Sequence, residues 1–339
     1  MENQFDRRTF MKSLTLAGAG MALSGPRLFG AANGAGDEIP VGIIGLDTSH
    51  SPAFTRLINM EDDPELSGFR VTAAYPYGSR EIESSYSRIP GYIDDVKEMG
   101  VEVVDSIEEL LDRVEFVMLL TNDGNPRREQ AMQVLRAGKT MYMDKPVAAS
   151  LEDTVAIYDT ARELSVPVFS SSSLRYIQAA QDVRYRNKIG DVLGVDAFSP
   201  SSIEPSHPDL FWYGIHGVEI VFTVMGTGCL SVTRTKTDST DIVTGTWGDG
   251  RLGTFRGIRD GRSGYGGTAF GSEEIISLGT FEGYRPLVES ILSFFRSGRP
   301  SVDPQETLEI YAFMEAADES IRRNGAAVNL EDVLARARR

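Results

Sequence analysis

Three histidines, a single cysteine and a lysine set before a proline define the chemistry open to this chain of 339 residues. His50, His207 and His216 are its only imidazoles, and a group that titrates near neutrality suits proton transfer. Glu219 lies three residues beyond His216, near enough on a helix to supply it with a carboxylate. Lys145 follows an apolar strand and precedes Pro146, which fixes the turn and directs the ammonium to the carboxyl edge of a sheet. Cys229 has no partner for an intrachain disulfide, and there is no Cys/His zinc spacing. No metal is expected; the one N/O set that could hold an ion is Asp47, His50, His216 and Glu219, and only if the fold gathers them.

Residues 41–50, Val-Gly-Ile-Ile-Gly-Leu-Asp-Thr-Ser-His, begin within an apolar strand at 39–46 and lead to a helix at 52–60. That is the context of the dinucleotide fingerprint G-x-G-x-x-G. With its first glycine at Gly45, the second position falls on Asp47 and the third on His50. The second glycine normally lets backbone amides close on a pyrophosphate at a helix N-terminus; a carboxylate there fills the space and repels the phosphates. The strand at 69–75 ends Tyr75-Pro76-Tyr77, without the acid that holds ribose hydroxyls.

These residues need a scaffold of alternating strands and helices. After the strands at 39–46 and 69–75 come a short acidic helix from 106, a strand at 114–121, a helix at 127–137 and a strand at 139–144. A helix at 151–164 and a strand at 166–170 complete a Rossmann-like doubly wound α/β unit with a parallel sheet. From about 172 the pattern changes to a helix over 177–188, strand segments at 194–198, 231–236, 241–247 and 252–258, and closing helices at 284–296 and 304–323. Gly248-Asp249-Gly250 marks a hairpin, and the glycines at 264–271 read as a sheet edge. Arg251, Arg256, Arg259 and Arg262 along that hairpin suggest salt bridges at an oligomer interface.

The first residues read as an address. Arg7-Arg8, followed by a weakly apolar stretch at 13–24 and small residues near Ala32, form a twin-arginine export signal, which predicts a periplasmic protein handled by the twin-arginine export machinery. The stretch is too short to be a stable membrane anchor. A formal net charge of -15 disfavours nucleic acid as a partner. The expected organisation is a signal and linker at 1–35, a Rossmann-like domain at 36–171 and a second domain at 172–339.

Thr121-Asn122, Ala137-Gly138-Lys139, Asp144-Lys145-Pro146 and Gly214-Ile215-His216, in this order after a glycine-ended strand, resemble the glucose-fructose oxidoreductase and inositol dehydrogenase family (Gfo/Idh/MocA). The resemblance spans nearly all of the chain past the leader. It implies a C-terminal α+β domain with an open-faced, mainly antiparallel sheet that often mediates homo-oligomers, and NAD- or NADP-linked oxidoreductase chemistry on a sugar, sugar acid or glycoside. It places Lys145 beside the nicotinamide and the reacting hydroxyl and makes His216 the acid or base. Gly45, Asp47, His50, Thr121, Asn122 and Asp144 are the candidates for the cofactor path, and Arg175, His207, Trp212 and Tyr213 the candidates to face the substrate. The chain departs from the family at Trp212, where an aspartate often precedes the histidine by one turn; Glu219 is the candidate replacement. Two readings follow: a sugar oxidoreductase, or a family-derived protein that has lost the nicotinamide and serves as a sugar-binding module or a cofactor-independent lyase or hydrolase.

Overall fold

The computed structural model describes residues 38–339, so the expected export signal lies outside the described residues. Six strands form a parallel sheet: β1 (Ile39–Ile44), β2 (Phe69–Tyr75), β3 (Glu102–Val103), β4 (Phe116–Leu119), β5 (Thr140–Met143) and β6 (Val168–Ser170). Their order is β3-β2-β1-β4-β5-β6. Every residue of β4 is buried, as a strand covered by helices on both faces requires. Helices begin where the sequence offers a cap: Ser106 Oγ accepts the Glu109 N–H at 3.1 Å, and Ser150 Oγ accepts the Asp153 N–H at 3.0 Å. Strand order reverses between β1 and β4, and the crevice outside their carboxyl ends is where an open sheet of this kind receives ligands.

Seven further strands form a mixed sheet: β7 (Val192–Pro200), β8 (Cys229–Lys236), β9 (Thr240–Trp247), β10 (Leu252–Ile258), β11 (Gly266–Gly271), β12 (Ile275–Ser277) and β13 (Val328–Asn329). The order is β12-β11-β7-β10-β9-β8-β13, with only β7 and β10 parallel. Alternate residues of β9 are buried, which gives the sheet one apolar face. Against the sheet lies the Ile215–Met225 helix, buried along its whole length. The glycine run is strand β11, paired with β7 and β12.

Two features were not legible as pattern. The link after β2 coils into a short helix, Glu83–Tyr86, whose Ser84 borders the cleft described below, and then into the Ile89–Glu98 helix, which packs against the His50–Met60 helix. The Arg285–Ser297 helix, which sequence order places with the second sheet, packs Leu287, Ile291, Phe294 and Phe295 into the core of the first. Phe295 stacks on Phe116 of β4 with ring centroids 4.6 Å apart. Its apolar stripe is long enough to bury there, and this return brings Tyr284, at its N-terminus, to the cleft described next.

Candidate active site

Where β1 ends the backbone turns sharply. Gly45 has φ of 96°, and a Cβ there would stand 2.5 Å from the Thr121 nitrogen, so only glycine fits. The His50–Met60 helix then starts at its third fingerprint position, and His50 itself is the first helical residue. This presents the imidazole to Asp144, at the end of β5, with His50 Nδ1 2.6 Å from Asp144 Oδ2. The ring also stacks on Phe54 and meets the edge of Tyr284, at centroid distances of 5.1 and 4.7 Å. Burial raises the Asp144 carboxyl, but the His50, Lys145 and Arg127 charges outweigh it and hold the group below the ordinary carboxylate range. An ionised carboxylate only accepts, so Nδ1 donates to Asp144 and Nε2 is the nitrogen free of that bond.

Lys145 and His216 line the same cleft as His50, a cavity of about 190 Å³ that also touches Asn122, Trp212, Tyr213, Tyr265 and Tyr284. Lys145 is buried, which lowers its ammonium pKa; Asp144 opposes the shift and Arg127 adds to it. Its Nζ lies 5.8 Å from the centroid of Tyr213. His216 Nδ1 is 2.7 Å from Ser172 Oγ, in the loop after β6. Burial first, then the Lys145 and His50 charges, push His216 well below the usual histidine range, so its imidazole is neutral.

Leu210–Gly214 forms a π turn directly before the Ile215–Met225 helix. Tyr213 meets His216 edge-on at 5.6 Å, whereas Trp212, expected on the histidine's face, packs on His207 at 5.0 Å and still borders the cleft.

Three expected site residues are placed elsewhere, and each has a physical reason. Glu219 does not serve His216: it is buried against Arg175, with Oε1 2.5 Å from Nε, and burial raises its carboxyl above the ordinary range against the pull of that guanidinium. Arg175 does not line the cleft; it is held between Glu219 and Glu306, the latter at 2.7 Å, and Arg184 completes the cluster at 2.9 Å from Glu306. His207 uses Nε2 to accept the Gly124 N–H at 2.9 Å and so pins the loop after β4. Charged side chains placed this deep need each other as partners, a constraint invisible until the chain is folded. Asp47, His50, His216 and Glu219 are likewise not gathered, and among the described residues no cluster of three such groups could hold a metal ion.

Asp47 is fully buried and points across the crevice. Its Oδ2 accepts the Ser79 N–H at 2.9 Å, from the loop after β2, and its Oδ1 accepts the Asn122 N–H at 3.0 Å, from the loop after β4. Burial raises its carboxyl; the two amides and Arg127 act in the other direction. Behind it the Arg127 guanidinium is also buried and donates to the Thr121 carbonyl at 2.6 Å and the Asp144 carbonyl at 2.5 Å. Ser172, Tyr265, Tyr284 and the pairing of His50 with Asp144 escaped sequence reasoning; His50 carried a signal, as an imidazole where the fingerprint wants glycine.

Comparison with known proteins places this architecture. Residues 39–172 match the family model for the Gfo/Idh/MocA oxidoreductase family with an NAD-binding Rossmann fold. Glucose-6-phosphate 3-dehydrogenase of Bacillus subtilis (strain 168) is 25% identical over 158 residues, 46% of this chain and 39% of that protein. An uncharacterized oxidoreductase of Streptococcus pneumoniae is 25% identical over 156 residues, covering 41% of this chain and 42% of its own. The chain thus spans about two fifths of the length of these relatives. Scyllo-inositol dehydrogenase from Lactobacillus casei, solved with NAD(H) and scyllo-inositol, superposes with a TM-score of 0.69 at 15% identity, covering 87% of this chain and 100% of that one. An Agrobacterium radiobacter oxidoreductase in complex with NAD+, L-tartaric acid and magnesium also gives 0.69, at 16% identity, covering 87% and 99%. At such identities these structures establish the shared fold, a parallel Rossmann-like sheet joined to a mixed one. The segment 39–172 is thus similar to the NAD-binding Rossmann domain of the Gfo/Idh/MocA oxidoreductase family.

Proposed function

We propose that the cleft binds a sugar, sugar acid or related polyol and takes the proton of one of its hydroxyl groups onto an imidazole. The observation that carries this reading is the convergence of Lys145, His216 and the Asp144-held His50 on one small cavity. At about 190 Å³ it is smaller than the roughly 300–1,000 Å³ of drug-sized sites, which suits a single sugar ring. Trp212, Tyr213, Tyr265 and Tyr284 offer ring faces and hydroxyls, the pairing that a sugar's apolar and polar sides call for. Two imidazoles can exchange the proton: His50 through Nε2, and neutral His216 through the nitrogen not engaged by Ser172. The Lys145 ammonium stabilises negative charge on the substrate oxygen as the proton leaves.

The family implies a nicotinamide dinucleotide, and the residues at the sheet edge do not fit its pyrophosphate. Asp47 fills the position glycine should leave open, its carboxylate engages the facing amides, and β2 ends in Tyr75 with no ribose acid. No step is therefore assigned to a hydride. Nicotinamide-linked oxidation of the sugar is the second reading. What favours it is the NAD-bound state of structural relatives, and a cavity of about 470 Å³ beyond Asp47, lined by Tyr75, Gly78, Asp123 and Gln130 among others.

The test is a panel of sugars, sugar acids and inositols, scored by calorimetry and by nicotinamide absorbance in parallel, on the parent chain and on Lys145→Ala and His216→Ala. Heat of binding that both substitutions weaken supports the site. Binding unaffected by either rejects it, and absorbance change with a sugar selects the redox reading. We also propose twin-arginine export to the periplasm; delivery unchanged in the Arg7→Lys, Arg8→Lys double variant would reject it.

A further inference from the structure

The crevice between the carboxyl ends of β1 and β4, where a doubly wound sheet takes up its ligand, is spanned here by one side chain. We infer that Asp47 is a built-in anion: its carboxylate takes the Ser79 and Asn122 amides and ties the loops after β2 and β4 together, so that the crevice excludes a dinucleotide and the ligand is confined to the His50, Lys145 and His216 cleft. The inference rests on the cleft reading only for where that ligand sits.

Each carboxylate oxygen serves a different loop, so the group acts as a bridge and not as a decoration of one turn. A buried carboxylate is retained only with such partners, and Asp47 is fully buried. The loop after β2 is shaped around it: a Cβ at Gly78 would stand 2.2 Å from Asp47 Oδ2, so glycine is required for the backbone to press against the carboxylate. Further bonds reinforce the tie. Ser79 Oγ donates to Asp123 Oδ2 at 2.7 Å, Asn122 Nδ2 donates to Ser85 Oγ at 2.9 Å, and Gln130 Nε2 donates to the Tyr77 carbonyl at 3.3 Å. A pyrophosphate crossing β1 has to part these two loops and displace a like charge from the donors it would use. The cavities on either side, about 470 and 190 Å³, share no lining residue.

The experiment titrates the full chain and Asp47→Gly with NAD+, NADP+ and NADH, by calorimetry and by fluorescence of the reduced nucleotide. The expected result is no saturable binding to the parent chain up to about 1 mM and a gain of about tenfold or more in affinity in Asp47→Gly. A micromolar Kd for the parent chain, or no gain in a variant whose circular dichroism is unchanged, overturns the inference. Should Asp47→Gly fail to fold, hydrogen exchange on the parent chain decides. Ser79 and Asn122 amides that are protected and unmoved by NAD+ uphold the tie, and protection that changes with NAD+ overturns it. Failure of the sugar panel leaves these nucleotide readouts untouched, so the two readings fail separately.

Discussion

His50 Nδ1 and Asp144 Oδ2 stand 2.6 Å apart, between the first turn of the His50–Met60 helix and the end of β5, and both groups are buried. The carboxylate accepts from Nδ1 and so leaves Nε2 as the ring nitrogen that can exchange a proton with a substrate. Asp144→Asn keeps the volume but can present an N–H to Nδ1, which reverses the tautomer. On a substrate found by the sugar panel, turnover is expected to fall by about 10²- to 10⁴-fold with the fold intact. A fall of less than about threefold would remove His50 from the chemistry.

Buried His216 is expected to make the protein acid-sensitive. Its folded pKa is depressed, so below the unfolded value of about 6.5 the unfolded chain binds a proton that the native chain refuses. Stability from this group is full above about pH 6.5 and is lost as pH falls, by up to about 1.4 kcal/mol per unit. Chemical denaturation of His216→Asn between pH 6.5 and 5 should show a shallower decline than the parent chain. Equal slopes would mean that His216 is protonated in the fold.

Lys145 is buried beside Asp144 and faces the cleft. Lys145→Ala should reduce both affinity and turnover, whereas a purely structural lysine would change only the melting temperature. Lys145→Arg, which keeps the charge but enlarges the head, should retain the fold and lose most of the turnover.

The Arg175, Glu219 and Glu306 cluster is expected to act through stability alone. Glu219→Ala leaves the buried guanidinium with less of its compensation and should cost on the order of 3–5 kcal/mol, read as a large drop in melting temperature. Glu219→Gln should fold and bind the cleft ligand as the parent does. Lost turnover in a stable Glu219→Gln would return this carboxylate to the active site.

Much of this protein was fixed along the chain. Short apolar runs bounded by turn residues read as strands of a parallel sheet, so β1, β2, β4, β5 and β6 and their order of appearance were legible, as were Lys145 before its proline and the carboxylate at a fingerprint glycine. Local periodicity and local sterics suffice for these. Partnership did not follow, because it depends on which groups separated in sequence meet without water. Glu219 looked like the mate of His216 at three residues' distance, yet folding gave it to Arg175, 44 residues away, and gave His216 to Ser172. Tyr213 meets the histidine edge-on while Trp212 turns to His207, a choice between two neighbouring positions that residue spacing does not announce. Asp47 read as the loss of a phosphate site; only tertiary structure turned it into a bridge, since its two amide donors come from loops that strand order alone brings to either side of β1.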